Sequence, residues 1–141
     1  MGINMLIWTE QFATGFPAID EQHRQLIRHV NKLEGMLIQT NPTAEEVASI
    51  QNFLDFLEDY IRSHFQYEEE CMQCNRCPAH EKNCQAHEHF REIFNRFKNK
   101  SRRQGFRMEL LIELNQTINN WIQDHILRID IQLKPLADKP A

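Results

Sequence analysis

Six residues of this chain have the type and spacing of a metal site. His23 closes the run Asp20-Glu21-Gln22-His23. His64 and Glu68 bracket His64-Phe65-Gln66-Tyr67-Glu68, His87 precedes Phe90, and His125 precedes Asp130. Each falls at helical spacing within an otherwise apolar stripe, where an ionisable group is costly to bury unless something compensates it. Four imidazoles and two carboxylates on separate helices point to one shared compensator. Imidazole suits Fe, Zn, Cu and Ni, whereas carboxylates favour harder ions such as Fe and Mn. Two carboxylates among neutral ligands fit two metals joined by carboxylate bridges better than one tetrahedral Zn. Any single one of these histidines, taken alone, reads as a hydrogen-bonded core or surface residue, and His29, His80 and His89 are expected to include surface groups. The joint pattern carries the metal reading.

The elements that must position these residues follow from the same periodicity. Residues 1–19 read as an N-terminal arm with Trp8, Phe12 and Phe16, in which Gly15 and Pro17 break regular structure. A first helix is predicted from Asp20, as N-cap, to about Thr40, with His23 one turn before Leu26 and Ile27. Thr43 and Glu46 resemble a capping box that opens a second helix to about Gln73. Its stripe of Ile50, Leu54, Leu57 and Ile61 continues into His64 and Glu68. The third helix is expected over about Ala79 to Lys100, and the fourth from about Arg107 to Leu133, ended by Lys134-Pro135. His125 and Asp130 are i,i+5, about 140° apart on a straight helix, so a π-bulge or distorted last turn is predicted there. Short connections imply antiparallel neighbours. The expected fold is all-α, one domain over residues 1–141: the arm, an up-down-up-down four-helix bundle over 20–133, and a tail over 134–141.

Composition narrows the class. A chain of 141 residues with net charge −4 has no basic footprint, so nucleic acid is not an expected partner. No apolar run reaches the ~20 residues needed to span a membrane, and the first ten residues lack a signal-peptide core. The expectation is a cytoplasmic, soluble protein with no membrane association. The four cysteines, all between Cys71 and Cys84, do not form a secreted disulfide pattern, and reduced thiols are expected.

In its motifs the chain closely resembles hemerythrin and its bacterial relatives. Trp8 with Gly15, then Ile19-Asp20-Glu21-Gln22-His23 and Leu26, are similar to that family's opening signature. His64-Phe65-x-x-Glu68-Glu69-x-x-Met72 is similar to its second-helix motif, with Pro78 at the expected turn. His87-x-x-Phe90 and Trp121-x-x-x-His125-Ile126 with Asp130 are similar to its third and fourth helices. The resemblance runs from Trp8 to about Leu133. It implies two Fe ions, cycling between Fe2+ and Fe3+ under an oxo, hydroxo or peroxo bridge, that bind O2 at the peroxide level. Glu68 and Asp130 would bridge the irons, His23 and His64 would serve one, and His87 and His125 the other.

One departure stands out. The family places a further histidine four residues before the third-helix histidine, and here that position is Asn83. Asparagine is a poor iron ligand, but its amide can donate a hydrogen bond. The expectation is an open or water-filled position on the iron of His87 and His125, with Asn83 donating to bound oxygen. Three alternatives stand beside it: Cys84 as a thiolate ligand, His80, or His89 on a distorted helix. Leu26, Phe65, Trp121 and Ile122 would wall a dry pocket around bound oxygen, although core packing alone also accounts for them.

A site short of one ligand suits a long-lived adduct, and stable occupancy can bias a conformation that a partner protein reads. The leading expectation is therefore an O2 and iron sensor in signal transduction, such as chemotaxis, with O2 as ligand and a signalling protein as partner, and not an enzyme. The alternatives are an O2 or iron carrier or storage protein, and a peroxide or nitric oxide reductase. Cys71, Cys74, Cys77 and Cys84 could instead hold a metal or form a redox-responsive disulfide; the bland reading is four thiols at a helix end.

Overall fold

The computed structural model describes residues 5–38 and 41–137. Among these, four long helices form an antiparallel bundle: α1 (Pro17–Met36), α2 (Ala44–Cys74), α3 (His80–Gln104) and α4 (Met108–Arg128). Each packs on its two neighbours in chain order, and α4 closes the ring against α1. A 3-10 turn at Asp130–Leu133 and the short α5 (Lys134–Ala137) follow α4. The expected all-α, up-down-up-down bundle is what the chain forms.

The helix starts show which local signals won. The capping box at Thr43 is present in full: the Thr43 hydroxyl accepts from the Glu46 amide, and the Glu46 side chain accepts from the Thr43 amide. The expected start of α1 needs correction. The helix opens at Pro17, whose missing N–H and fixed φ suit a first turn, so Pro17 begins the helix rather than breaking it. Asp20 is accordingly not the N-cap. Its buried carboxylate accepts from the Thr14 amide (2.8 Å), the Thr14 hydroxyl (2.8 Å) and the Gly15 amide (3.2 Å), which folds the arm over the first turn. The arm is strapped further along α1 by Asn31, whose amide exchanges two hydrogen bonds with the Leu6 backbone. The Arg24 guanidinium lies 4.2 Å over the Trp8 ring. α1 ends at Met36; its expected end, Thr40, lies outside the described residues.

The apolar residues form two clusters of unequal size. The larger runs along most of the bundle and includes Leu26, Val30, Leu57, Phe65, Phe90, Ile118 and Ile122. The smaller, Ile19, Met72, Cys77, Ala79 and Leu133, plugs one end. On α1 His23 falls between Ile19 of the plug and Leu26 of the main core, and on α2 Glu68 falls between Met72 and Phe65 in the same way. The candidate ligands thus form a polar layer between two apolar ones.

α4 ends with the distortion expected of it, in the form of a 3-10 turn and not a π-bulge. α4 ends at Arg128, its C-cap Ile129 has a stretched φ of −112° with ψ −56°, and the 3-10 turn begins at Asp130. Lys134-Pro135 does not stop this segment, because Pro135 sits in the first turn of α5, where its missing N–H is tolerated. α5 lies against Gly15, which has φ +83° and whose added Cβ would stand 2.8 Å from the Ala137 Cβ.

Two substitutions check this closure by urea unfolding. Asp20→Ala removes the acceptor of three hydrogen bonds and should cost about 1.5–3 kcal/mol. Gly15→Ala combines a left-handed φ with a collision and should cost about 1–3 kcal/mol.

Candidate metal centre

The bundle brings all six sequence-derived residues into one buried layer. His23, His64, Glu68, His87, His125 and Asp130 are each at most 5% exposed. Glu68 and Asp130 each divide their two oxygens between two pairs of histidines. Glu68 Oε2 lies 3.0 Å from His23 Nε2 and 3.2 Å from His64 Nε2. Its other oxygen, Oε1, lies 3.2 Å from His87 Nε2 and 3.7 Å from His125 Nε2. Asp130 repeats the division, with Oδ2 at 3.1 Å from His23 Nε2 and Oδ1 at 3.1 Å from His125 Nε2. The break at Ile129 is what swings Asp130 into reach of His125.

These donors fit metal ions. Ligand atoms about 2.1 Å from a common ion stand about 3.0–3.4 Å apart in octahedral or tetrahedral arrangements, close to the spacings observed. Two groups of donors can each hold an ion, His23–His64–Glu68 and Glu68–His87–His125, and they share Glu68. Hydrogen bonding accounts for only part of the layer, through His23 Nε2 with Glu68 Oε2 (3.0 Å) and His125 Nε2 with Asn83 Oδ1 (2.8 Å). His87 Nε2, Glu68 Oε1 and both Asp130 oxygens are buried without a hydrogen-bond partner, though each has an opposing atom within 3.1–3.7 Å. Their lone pairs converge on points between them, as ligands do.

Residues just behind the donors orient them. His64 Nδ1–H donates to Gln22 Oε1 (2.7 Å) and His87 Nδ1–H donates to Glu69 Oε2 (2.8 Å). Each bond places the ring proton on Nδ1 and leaves Nε2 facing the layer. Phe65 stacks on the His87 ring at 3.7 Å between centroids, and Trp121 stacks on His125 at 4.3 Å. Leu26 and Ile122 lie buried in the main core. The roles of Gln22 and Glu69 were not visible in the sequence. Both stand inside the motifs, but their partners are 42 and 18 residues away, and only the helix packing pairs them.

Asn83 is fully buried at this layer. Its Oδ1 accepts from His125 Nε2 at 2.8 Å, and its Nδ2 has no protein partner. The three alternatives to Asn83 are placed elsewhere. Cys84, one residue further round α3, donates its thiol to Glu69 Oε1 (3.3 Å) and belongs to neither donor group. His80 Nε2 meets Cys84 at 3.6 Å, and His89 is exposed. The cysteines do not gather into a metal clip. All four thiols are free, and none belongs to either donor group. Cys77 is buried with its thiol towards the Gln132 carbonyl, while Cys74 is exposed.

The layer's electrostatics follow from its burial. Burial works against a charge on His23, but the adjacent Asp130 and Glu68 carboxylates prevail and raise it to about 10. Burial likewise opposes charge on His125, which Asp130 and Glu68 raise to about 9. In His64 burial wins, and its pKa is lowered. Burial also opposes the charge on Glu68, yet the surrounding histidines hold it well below the usual carboxylate range. Glu69 is lowered too, its burial outweighed by hydrogen bonds from His87 and Cys84. Burial and the neighbouring Glu69 push the Cys84 thiol up.

Fold and donor set together define a metal-binding four-helix bundle protein. Comparison with known proteins agrees. The family described as Hemerythrin HHE cation binding domain matches residues 14–137, and the chain belongs to the hemerythrin family. A bacteriohemerythrin of Stenotrophomonas maltophilia is 29% identical over 123 residues, covering 86% of this chain and 74% of that protein. Bacteriohemerythrins of Pseudomonas paraeruginosa and Pseudomonas aeruginosa are each 29% identical over 126 residues, covering 89% of this chain and 76% of theirs. No solved structure matches the chain.

These shifts set the pH dependence of chelator-treated protein. The stabilisation from His23 and His125, whose pKa values are raised on folding, is complete below their ordinary value of 6.5. It should be lost as pH rises through about 9 and then about 10. Stabilisation from His64 and Glu68, both lowered, should be lost on the acid side, below 6.5 and 4.5 in turn. Melting temperature against pH should therefore peak between these limbs. Added Fe(II) should raise the plateau and release protons from His23 and His125, measurable in weakly buffered solution.

Proposed function

We propose that this protein holds a pair of non-haem irons in the polar layer and binds O2 there, acting in the cytoplasm as an oxygen and iron sensor. The observation that carries this reading is the division of Glu68 and Asp130 between two histidine pairs. A carboxylate whose two oxygens face different histidines would suit two metal ions held side by side. In this reading His23 and His64 would hold one iron and His87 and His125 the other, with Glu68 and Asp130 available to both. When bound, the ferrous pair supplies the electrons that bind O2.

This chain's own residues do the rest. Gln22 and Glu69 fix the rings of His64 and His87 with Nε2 inward. Phe65 and Trp121 cover two ligand rings with apolar faces, and with Leu26 and Ile122 they keep water from the layer, which slows proton delivery. Asn83, standing where the family carries another histidine, contributes a weak donor oxygen and a buried N–H pair in place of a strong ligand. Its free Nδ2 can donate to a species held beside His125. A centre so arranged favours a long-lived bound state over rapid exchange, as sensing requires. The shared ligand Asp130 sits on the 3-10 turn beyond the α4 break, where a change at the centre can reach α5 and the arm.

Protein loaded with Fe(II) without air should hold about two irons per chain, as two bridged donor sets require. A visible absorption band should appear on admitting air and decay slowly under vacuum. Iron at one per chain or less, or none in the layer, would overturn the reading. Asn83→His should supply the missing imidazole, and the band of that variant should be lost faster under vacuum than that of the wild type.

A further inference from the structure

The two halves of the layer are backed by groups of different charge. His64 is backed by the neutral amide of Gln22, whereas His87 is backed by the Glu69 carboxylate. Glu69 is itself contacted from outside. Cys84 Sγ–H donates to its Oε1 at 3.3 Å, Arg91 Nη2 approaches its Oε2 at 3.5 Å, and His80 Nε2 lies 3.6 Å beyond the Cys84 sulfur. These groups line a surface cleft of about 520 Å3 between α2 and α3, together with Arg62 and Glu70. The buried layer is thus joined to a solvent-facing cleft through the line Cys84–Glu69–His87.

We infer that Glu69 is a positioning residue that sets how strongly His87 donates to the metal, and that Cys84 adjusts Glu69 from the surface cleft. The inference rests on the metal-layer reading above. A carboxylate accepting from a ligand histidine's outer N–H raises the basicity of that ligand. The half that carries Asn83 lacks a strong ligand, and its His87 has an anionic backing group where His64 has a neutral one. The Cys84 thiol shares the negative charge of Glu69 and weakens its pull on His87. Replacing this thiol by a group with no donor hydrogen removes that hydrogen bond while leaving every metal ligand in place.

The two residues act on the metal in opposite directions, which a merely structural role would not produce. Electron-rich ligands favour the ferric state, so Glu69→Gln should raise the midpoint potential of the iron-loaded protein and Cys84→Ala should lower it. Cys84→Ser, which retains a donor, should stay near wild type. Glu69→Ala should weaken uptake of the second Fe(II) equivalent about 10–100-fold, with uptake of the first much less changed. Should the Glu69 variants fail to fold by circular dichroism, the Cys84→Ala and Cys84→Ser pair decides alone. A wild-type chain that takes up no iron overturns the functional reading and this one with it. An iron-loaded wild type whose potential is unmoved by Glu69→Gln and Cys84→Ala, or moved the same way by both, overturns this inference alone.

Discussion

The structure is organised around the burial of two carboxylates. Glu68 and Asp130 are both fully excluded from solvent, and a buried ion costs several kcal/mol unless opposite charge and ligands surround it. Four imidazoles supply that surrounding, one from each of α1 to α4, so no helix can be moved without exposing or orphaning a charge. The four-helix arrangement and the centre are therefore a single constraint. The apolar core gives cohesion, and the polar layer fixes helix register, because each imidazole must arrive at the same height along its helix.

Apolar packing on both sides of the layer makes this possible. The main core covers one side, and Ile19, Met72, Cys77, Ala79 and Leu133 cover the other. This end plug draws on the 3-10 turn after α4 and the loop between α2 and α3, and the arm with α5 lies over it. The arm is held by one buried carboxylate, Asp20, through three hydrogen bonds. Closure of the bundle end and geometry of the layer are coupled through the short segment from His125 to Leu133, which carries both layer residues (His125, Asp130) and a plug residue (Leu133).

The layer is symmetric in its donors and asymmetric in what stands behind them. One half has a neutral amide behind His64. The other has a carboxylate behind His87 and an asparagine where the family has a histidine. The anionic backing and the weaker donor occur in the same half, and that half adjoins the cleft that holds Cys84 and His80.

The sequence alone determined the helical class, the capping box at Thr43 and the set of residues that meet in the layer. Those features depend on local periodicity and on the cost of placing His and Glu in apolar stripes, both written in residue order. It also located the need for a distorted turn between His125 and Asp130, because a straight helix cannot aim both side chains one way. Tertiary structure decided what depends on neighbours distant in the chain. Asp20 had the composition of a helix cap but anchors the arm, since Pro17 already satisfies the helix start. Cys84, adjacent in sequence to Asn83, turns about 100° from it around the helix and meets Glu69 instead of the layer. Which carboxylate oxygen faces which histidine, and which partner orients each ring, are set by packing between helices that no local spacing encodes.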